Sequence, residues 1–209
     1  MKEIVFVDID TQRDFILPQG KLYVKDAEKI IPNLKYLAQT AQKNESLIMS
    51  SVDTHISNDP EFKQFPSHCL KGGPGQRKIP ETLLKKHVFI PQEILNRGQL
   101  FDKIKGYPQI IIEKNAYDVF VNFNLLRLLR PFQSAFVYGL ALDYCLKYAV
   151  LGLLQAGLKV YLIMDAAKPV YPEAERPLLS NFKKSGVRLI KTEDVPSEIR
   201  RILGEPRPS

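Results

Sequence analysis

From residue 4 to residue 190 the chain alternates short β-branched runs with stretches whose apolar residues recur at helical spacing, and this alternation leaves few folds open. Repeated strand–helix–strand units read as a parallel sheet with crossover helices. Strands are expected at residues 4–7, 46–52, 110–112, 135–138, 160–164 and 187–190. Helical patterns fall at 26–43, 121–129, 144–155 and 174–184, with a short last helix at 196–203. In the first of these, Ile30, Ile31, Leu34, Leu37, Ala38 and Ala41 form one stripe that should lie on the sheet. Gly157 stands where a helix C-cap is wanted. No internal repeat interrupts the pattern, so the reading is a single α/β domain over residues 1–203 around a mainly parallel sheet, with a tail at 204–209. The stretch 53–107 is rich in Pro and Gly and has only short apolar runs. A connection of that length inside a compact domain is usually functional, so it is expected to cover a site.

Composition excludes several classes. A length of 209 residues suits one core, and two cysteines are too few for a disulfide framework. The opening MKEIVFVDID lacks the basic flank, apolar run and small-residue cleavage site of a signal peptide, so a reduced, cytoplasmic setting is expected. Charges or prolines break the apolar stretches well short of a membrane span. Lys and Arg total 30 against 23 Asp and Glu, a formal charge of +7, which raises the question of a nucleic-acid or membrane-surface partner. The basic residues come as scattered pairs, Lys85-Lys86, Lys183-Lys184 and Arg200-Arg201, without interleaved aromatics. Neither a nucleic acid nor a membrane is therefore expected as a partner.

In an open parallel sheet, ligands bind outside the carboxyl ends of the strands, so the residues just after each strand matter most. They are Asp10 after the first, Asp53 and His55 after the second, Lys114 after the third and Cys145 after the fourth. Each alone has a plainer role: Asp10 and Asp14 as turn acids, Lys114 as a solvated lysine, Cys145 as a small buried hydrophobe. Four together at corresponding strand ends point to chemistry. Cys145 opens a helix, where the macrodipole and a nearby ammonium would lower a thiol pKa. Asp10 could then exchange a proton with the thiol and with a leaving amine, while Lys114 balances charge. The backbone N–H of Cys145 and one from the preceding turn could hold an oxyanion.

The segment Val7-Asp8-Ile9-Asp10-Thr11-Gln12-Arg13-Asp14-Phe15 resembles the D-x-Q-x-D-F signature of the isochorismatase-like cysteine hydrolases. Gly139-Leu140-Ala141-Leu142-Asp143-Tyr144-Cys145 resembles their nucleophile turn, residues 111–120 their lysine-bearing strand and loop, and Asp165-Ala166 the pair closing the following strand. The resemblance runs to about residue 166. It implies a triad of Asp10, Lys114 and Cys145, a cis peptide at Leu140–Ala141, and an oxyanion hole from the N–H groups of Ala141 and Cys145. It also implies six parallel strands with helices on both faces, and often a homo-oligomer.

Asp53-Thr54-His55, followed by Phe65-Pro66-Ser67-His68-Cys69, is similar to the metal-binding stretch of the nicotinamidase branch. The likeness implies one divalent ion on Asp53, His55 and His68, and two imidazoles with one carboxylate suit Zn, with Mn or Fe as alternatives. Phe15 and Phe65 match the aromatics that sandwich the substrate ring, His87 lies outside the pattern, and Cys69 reads as a bystander. Asp53 and His55 could instead cap a turn, and both phenylalanines could be plain core. Thr54 and Phe65 stand where a Trp is frequent, Leu142 where a Thr is frequent, and Val119 where a smaller residue is common. The path after Lys114 is shorter, as in the metal-free relatives.

The leading expectation is a cysteine amidohydrolase that converts nicotinamide to nicotinate and ammonia through a thioester. The alternative is a metal-free relative acting on another small amide, a ureido compound or a vinyl ether. A nucleic-acid-binding scaffold on a retired hydrolase fold would rest on the net charge alone.

Overall fold

The computed structural model describes residues 3–205. Seven strands form one sheet: β1 (Ile4–Ile9), β2 (Leu47–Asp53), β3 (His87–Ile90), β4 (Gln109–Lys114), β5 (Ser134–Leu140), β6 (Lys159–Lys168) and β7 (Arg188–Ile190). Their order is β3-β4-β2-β1-β5-β6-β7, and every neighbouring pair is parallel. The expected count of six is corrected to seven. The added strand, β3, lies inside the stretch 53–107, which also holds a helix at 97–104. β3 is only four residues long, ends against Pro91 and leaves Phe89 41% exposed at the sheet edge, so it carries no continuous apolar run.

Among the described residues, seven α-helices accompany the strands: α1 (Arg13–Ile16), α2 (Ile31–Lys43), α3 (Arg97–Ile104), α4 (Asn124–Leu129), α5 (Cys145–Gln155), α6 (Pro172–Lys184) and α7 (Val195–Leu203). The strands alternate their side chains between two cores. Val5, Val7 and Ile9 of β1 pack with α3, α4, α5 and α6 on one face. Ile4 and Phe6 pack with α2 and α7 on the other. Helices therefore cover both faces, as parallel sheets require. Pro32 sits in the first turn of α2, where its missing N–H costs nothing. Five residues of the expected stripe are buried and Ile31 is partly buried, and Leu34 and Leu37, both 0% exposed, each contribute about 2 kcal/mol by leaving water.

Gly157 follows α5 with φ 85°, the left-handed conformation of a helix C-cap. Gly204, φ 73°, does the same after α7, and most of the expected tail, residues 206–209, lies outside the described residues. Among the described residues no helix is long and apolar enough to cross a membrane.

Candidate functional site

The polar residues singled out from the sequence meet at the carboxyl ends of β1, β2, β4 and β5. Ser51 and Asp53 of β2 project to the same face as Leu47 and Met49, the face that also holds Cys145. Asp8 of β1 projects to the other face, where Ser50 donates to it (3.0 Å). Alternation would send Asp10 after Asp8. Instead Asp10 has φ 50°, and this left-handed turn re-aims its carboxylate, which accepts from Ser51 Oγ at 2.6 Å.

Lys114, the last residue of β4, is 0% exposed. Its Nζ lies 2.8 Å from Asp10 Oδ2, donates to Asp53 Oδ1 and stands 3.5 Å from Cys145 Sγ. Burial opposes the charge on Lys114, but Asp10 and Asp53 outweigh it and hold the ammonium well above its usual range. Burial also raises Asp10, against the pull of Lys114. The Cys145 thiol is pushed well up by burial, and the Asp10 and Asp53 carboxylates add to this while Lys114 opposes it. The expectation of a depressed thiol pKa is therefore reversed: two carboxylates and a dry site outweigh the lysine.

The peptide Leu140–Ala141 is cis. Ala141 O accepts the N–H groups of both Tyr144 and Leu146 at 3.0 Å, passing over Cys145, the first residue of α5. The N–H of Cys145 is thereby left among the free donors of a helix start. At the preceding position, Gly139 has φ 117°, and a Cβ there would come within 2.1 Å of Ile9 O, so only glycine lets β5 approach β1 this closely.

Two histidines stand beside this cluster. The His55 backbone pairs with residues 69–71, accepting Lys71 N (2.9 Å) and donating to Cys69 O (3.1 Å), which draws His68 alongside. The two imidazole centroids are 4.8 Å apart. His55 Nδ1 faces Asp59 Oδ2 at 2.9 Å, and His68 Nδ1 faces Pro66 O at 2.8 Å. These partners call for a proton on each Nδ1, which in the neutral ring leaves the Nε2 lone pair facing inward. Both Nε2 atoms are buried without a hydrogen-bond partner. Burial disfavours a charged His55, yet Asp53 and Asp59 raise its pKa to about 9, so its surroundings welcome a cation at this nitrogen. His68 is shifted down, chiefly by burial. Ligand atoms of Asp53, His55 and His68 lie within 4.8 Å of one another. With Asp53 Oδ1 engaged by Lys114, Oδ2 remains available, and this donor set fits a divalent metal.

Two members of the N-terminal signature hold the site together. Gln12 Nε2 donates to Asp53 O (2.9 Å) and Gln76 O (2.8 Å), while its Oε1 accepts Asp53 N (2.7 Å). Asp14 Oδ2 accepts Cys69 N at 2.7 Å, next to His68. The sequence gives Gln12 no task beyond the motif and Asp14 only that of a turn acid, because their partners lie 41 and 55 positions away.

A partly enclosed cavity of about 80 Å³ opens over Asp10, Asp53, His68 and Cys145. Phe15 and Phe65 both line it. The Phe15 ring is 5.5 Å from His68, and the Phe65 ring is 6.3 Å from Tyr144. Tyr23, Tyr117, Tyr144 and Glu61 line it too and were missed, although Tyr117 and Tyr144 fall inside the motif segments. Asp59, the partner of His55, was also missed; an acid four residues after a candidate ligand was the available signal. His87 lies apart, bonded through Nδ1 to Leu84 O at 2.7 Å. Cys69 is fully buried, and burial pushes its thiol far up, the state of an inert neighbour.

An open parallel α/β sheet with a thiol, a carboxylate and an ammonium gathered at its carboxyl edge defines the class as an α/β fold built for small-molecule chemistry. The chain belongs to the isochorismatase domain family, whose model matches residues 5–194. It is 24% identical over 206 residues to a nicotinamidase of Saccharomyces cerevisiae, covering 84% of this chain and 91% of that protein. It is 24% identical over 182 residues to a nicotinamidase of Escherichia coli, covering 78% and 81%. A pyrazinamidase of Pyrococcus horikoshii solved in complex with zinc superposes with a TM-score of 0.74 at 26% identity, covering 90% of this chain and 99% of that one.

Proposed function

We propose that the chain is a cysteine amidohydrolase that converts nicotinamide to nicotinate and ammonia, with residues 1–203 acting as one catalytic domain covered by the segment 53–107. The observation that carries this reading is the approach of Lys114 Nζ to Asp10, Asp53 and Cys145 Sγ beneath an aromatic-lined pocket, beside two unpartnered histidine nitrogens. The similarity to two nicotinamidases supports the substrate.

In the proposed sequence, Asp10 takes the Cys145 proton as the sulfur attacks the carboxamide carbon. Burial raises Asp10 toward the range in which a carboxylate can both accept and return a proton. The N–H groups of Ala141 and Cys145 hold the oxyanion. Asp10 gives the proton to the leaving nitrogen, ammonia departs and a thioester to Cys145 remains. A water then attacks the thioester, its proton passes through Asp10 back to sulfur, and nicotinate is released. Lys114 keeps the paired carboxylates compatible at short range. Phe15 and Phe65, with Tyr117 and Tyr144, hold the ring by apolar and edge contacts. Asp53, His55 and His68 would hold a divalent ion, zinc or alternatively Mn or Fe, which supplies an electrophilic centre for a ring nitrogen or a water.

Purified protein should release ammonia from nicotinamide, and Cys145→Ala should reduce this on the order of 10⁴-fold or more while the fold persists. Mass spectrometry of a rapidly quenched reaction should find an acyl adduct on Cys145. Ammonia release that survives Cys145→Ala would sink the mechanism.

A further inference from the structure

Outside the pocket the described residues contain a second fully buried lysine. Lys78 is 3% exposed and stands on the segment returning from the histidine-bearing loop. Its Nζ lies 2.7 Å from Asp8 Oδ2 and 2.6 Å from Thr11 Oγ1. Thr11 Oγ1 in turn donates to Asp8 Oδ1 at 2.9 Å and meets Thr82 Oγ1 at 2.7 Å. The backbone repeats the attachment: Ile79 N donates to Thr11 O (3.0 Å) and Arg13 N to Arg77 O (2.9 Å), with Gln12 and Lys78 bridged antiparallel.

These contacts bracket Asp10. Asp8 lies two residues before it and Thr11 one residue after, and between them the chain makes the left-handed turn that carries the Asp10 carboxylate to the Cys145 face. An ammonium that grips both flanks fixes the turn from outside the site. A buried ion pair is weak evidence for stability, since a well-packed apolar pair often serves as well. What an apolar pair would lack is a directional hold on Thr11 Oγ1.

We propose that Lys78, with Asp8 and Thr11, is a positioning clamp that sets the direction of the Asp10 carboxylate. The proposal rests on the catalytic role assigned to Asp10 above. The test is the double variant Asp8→Val/Lys78→Met, which removes both charges and leaves none buried alone. It should fold, while kcat for ammonia release from nicotinamide falls on the order of 10²-fold, the cost of a misplacement near 1 Å. KM should stay within about threefold, because the aromatic walls of the pocket are untouched. A crystal structure of the variant should show the Asp10 carboxylate displaced from its 2.8 Å contact with Lys114.

Thr11→Val, which removes only the hydroxyl, decides the matter if the double variant does not fold: kcat should drop, and Thr11→Ser should restore it. A folded double variant with wild-type kcat, a change confined to KM, or an Asp10 carboxylate left in place overturns the clamp. So does wild-type kcat in Thr11→Val. If the wild-type protein releases no ammonia from nicotinamide, the activity reading fails by itself, and the position of Asp10 in the variant structure still decides the clamp.

Discussion

Lys78 and Lys114 are both buried, both paired with an aspartate from the end of β1, and differ in what surrounds the pair. Around Lys78 the polar groups are matched. Asp8 accepts from Thr11, Ser50 and Lys78, and Gln109 links Ser50 to Thr82 O and Leu84 N. Around Lys114 they are not. Asp10 Oδ2 is close to Nζ yet receives no well-directed hydrogen bond, and His55 Nε2 and His68 Nε2 have no partner. Buried polar atoms are normally satisfied, so the unsatisfied cluster is where a ligand belongs and the satisfied one is scaffold. The same two residue types meet twice, once in a fully bonded cluster and once beside unpartnered polar atoms.

The contrast can be broken first at Lys114. Lys114→Met should cut ammonia release about 10³-fold or more, because it removes the cation that lets Asp10 and Asp53 stand together next to the thiol. Steady-state assays settle this, and a variant retaining a tenth of wild-type kcat would place Lys114 among the scaffold residues. Lys78→Met alone should add a loss of stability to the loss of kcat expected of the clamp, since it strands Asp8 as an unpaired buried charge at a cost of about 3–5 kcal/mol. For a chain of this size that is a fall in Tm of roughly 10 °C, readable by calorimetry. A Tm equal to that of the wild type would remove the scaffold half of the comparison.

The smallest effect is expected one step out from the histidines. Asp59→Asn leaves His55 in place but weakens the partner that orients it, and should lower zinc affinity about 10- to 100-fold. The measurement is a zinc titration of protein first stripped with a chelator. Unchanged affinity would leave Asp59 as a turn acid, its side chain serving only Glu61 N at 3.0 Å.

Much of the fold was legible because hydrophobic period and strand length are local. The stripe Leu34, Leu37, Ala38, Ala41 and the β-rich runs around 48, 111, 136 and 162 landed where periodicity put them. β3 was not legible, since four residues at a sheet edge carry too few buried side chains to make a pattern. In the site, Asp10, Lys114 and Cys145 could be picked out because each stands at a strand's end or in the turn beyond it. Tyr23 and Lys78 could not, because nothing in their own neighbourhood distinguishes them from surface residues, while Tyr117, Tyr144 and Asp59 stood in or near the motif segments but their contacts with the site come only from the fold.

By itself the sequence determined the class of fold, the order of its elements and the chemical types available at the strand ends, because these depend on residue kind and spacing along the chain. The protonation of those groups was decided only by tertiary structure. A thiol at a helix start beside a lysine reads as acidified, yet burial and two carboxylates brought from β1 and β2 push it the other way. Solvent exclusion and through-space charge act between residues more than a hundred positions apart, and no local pattern encodes them.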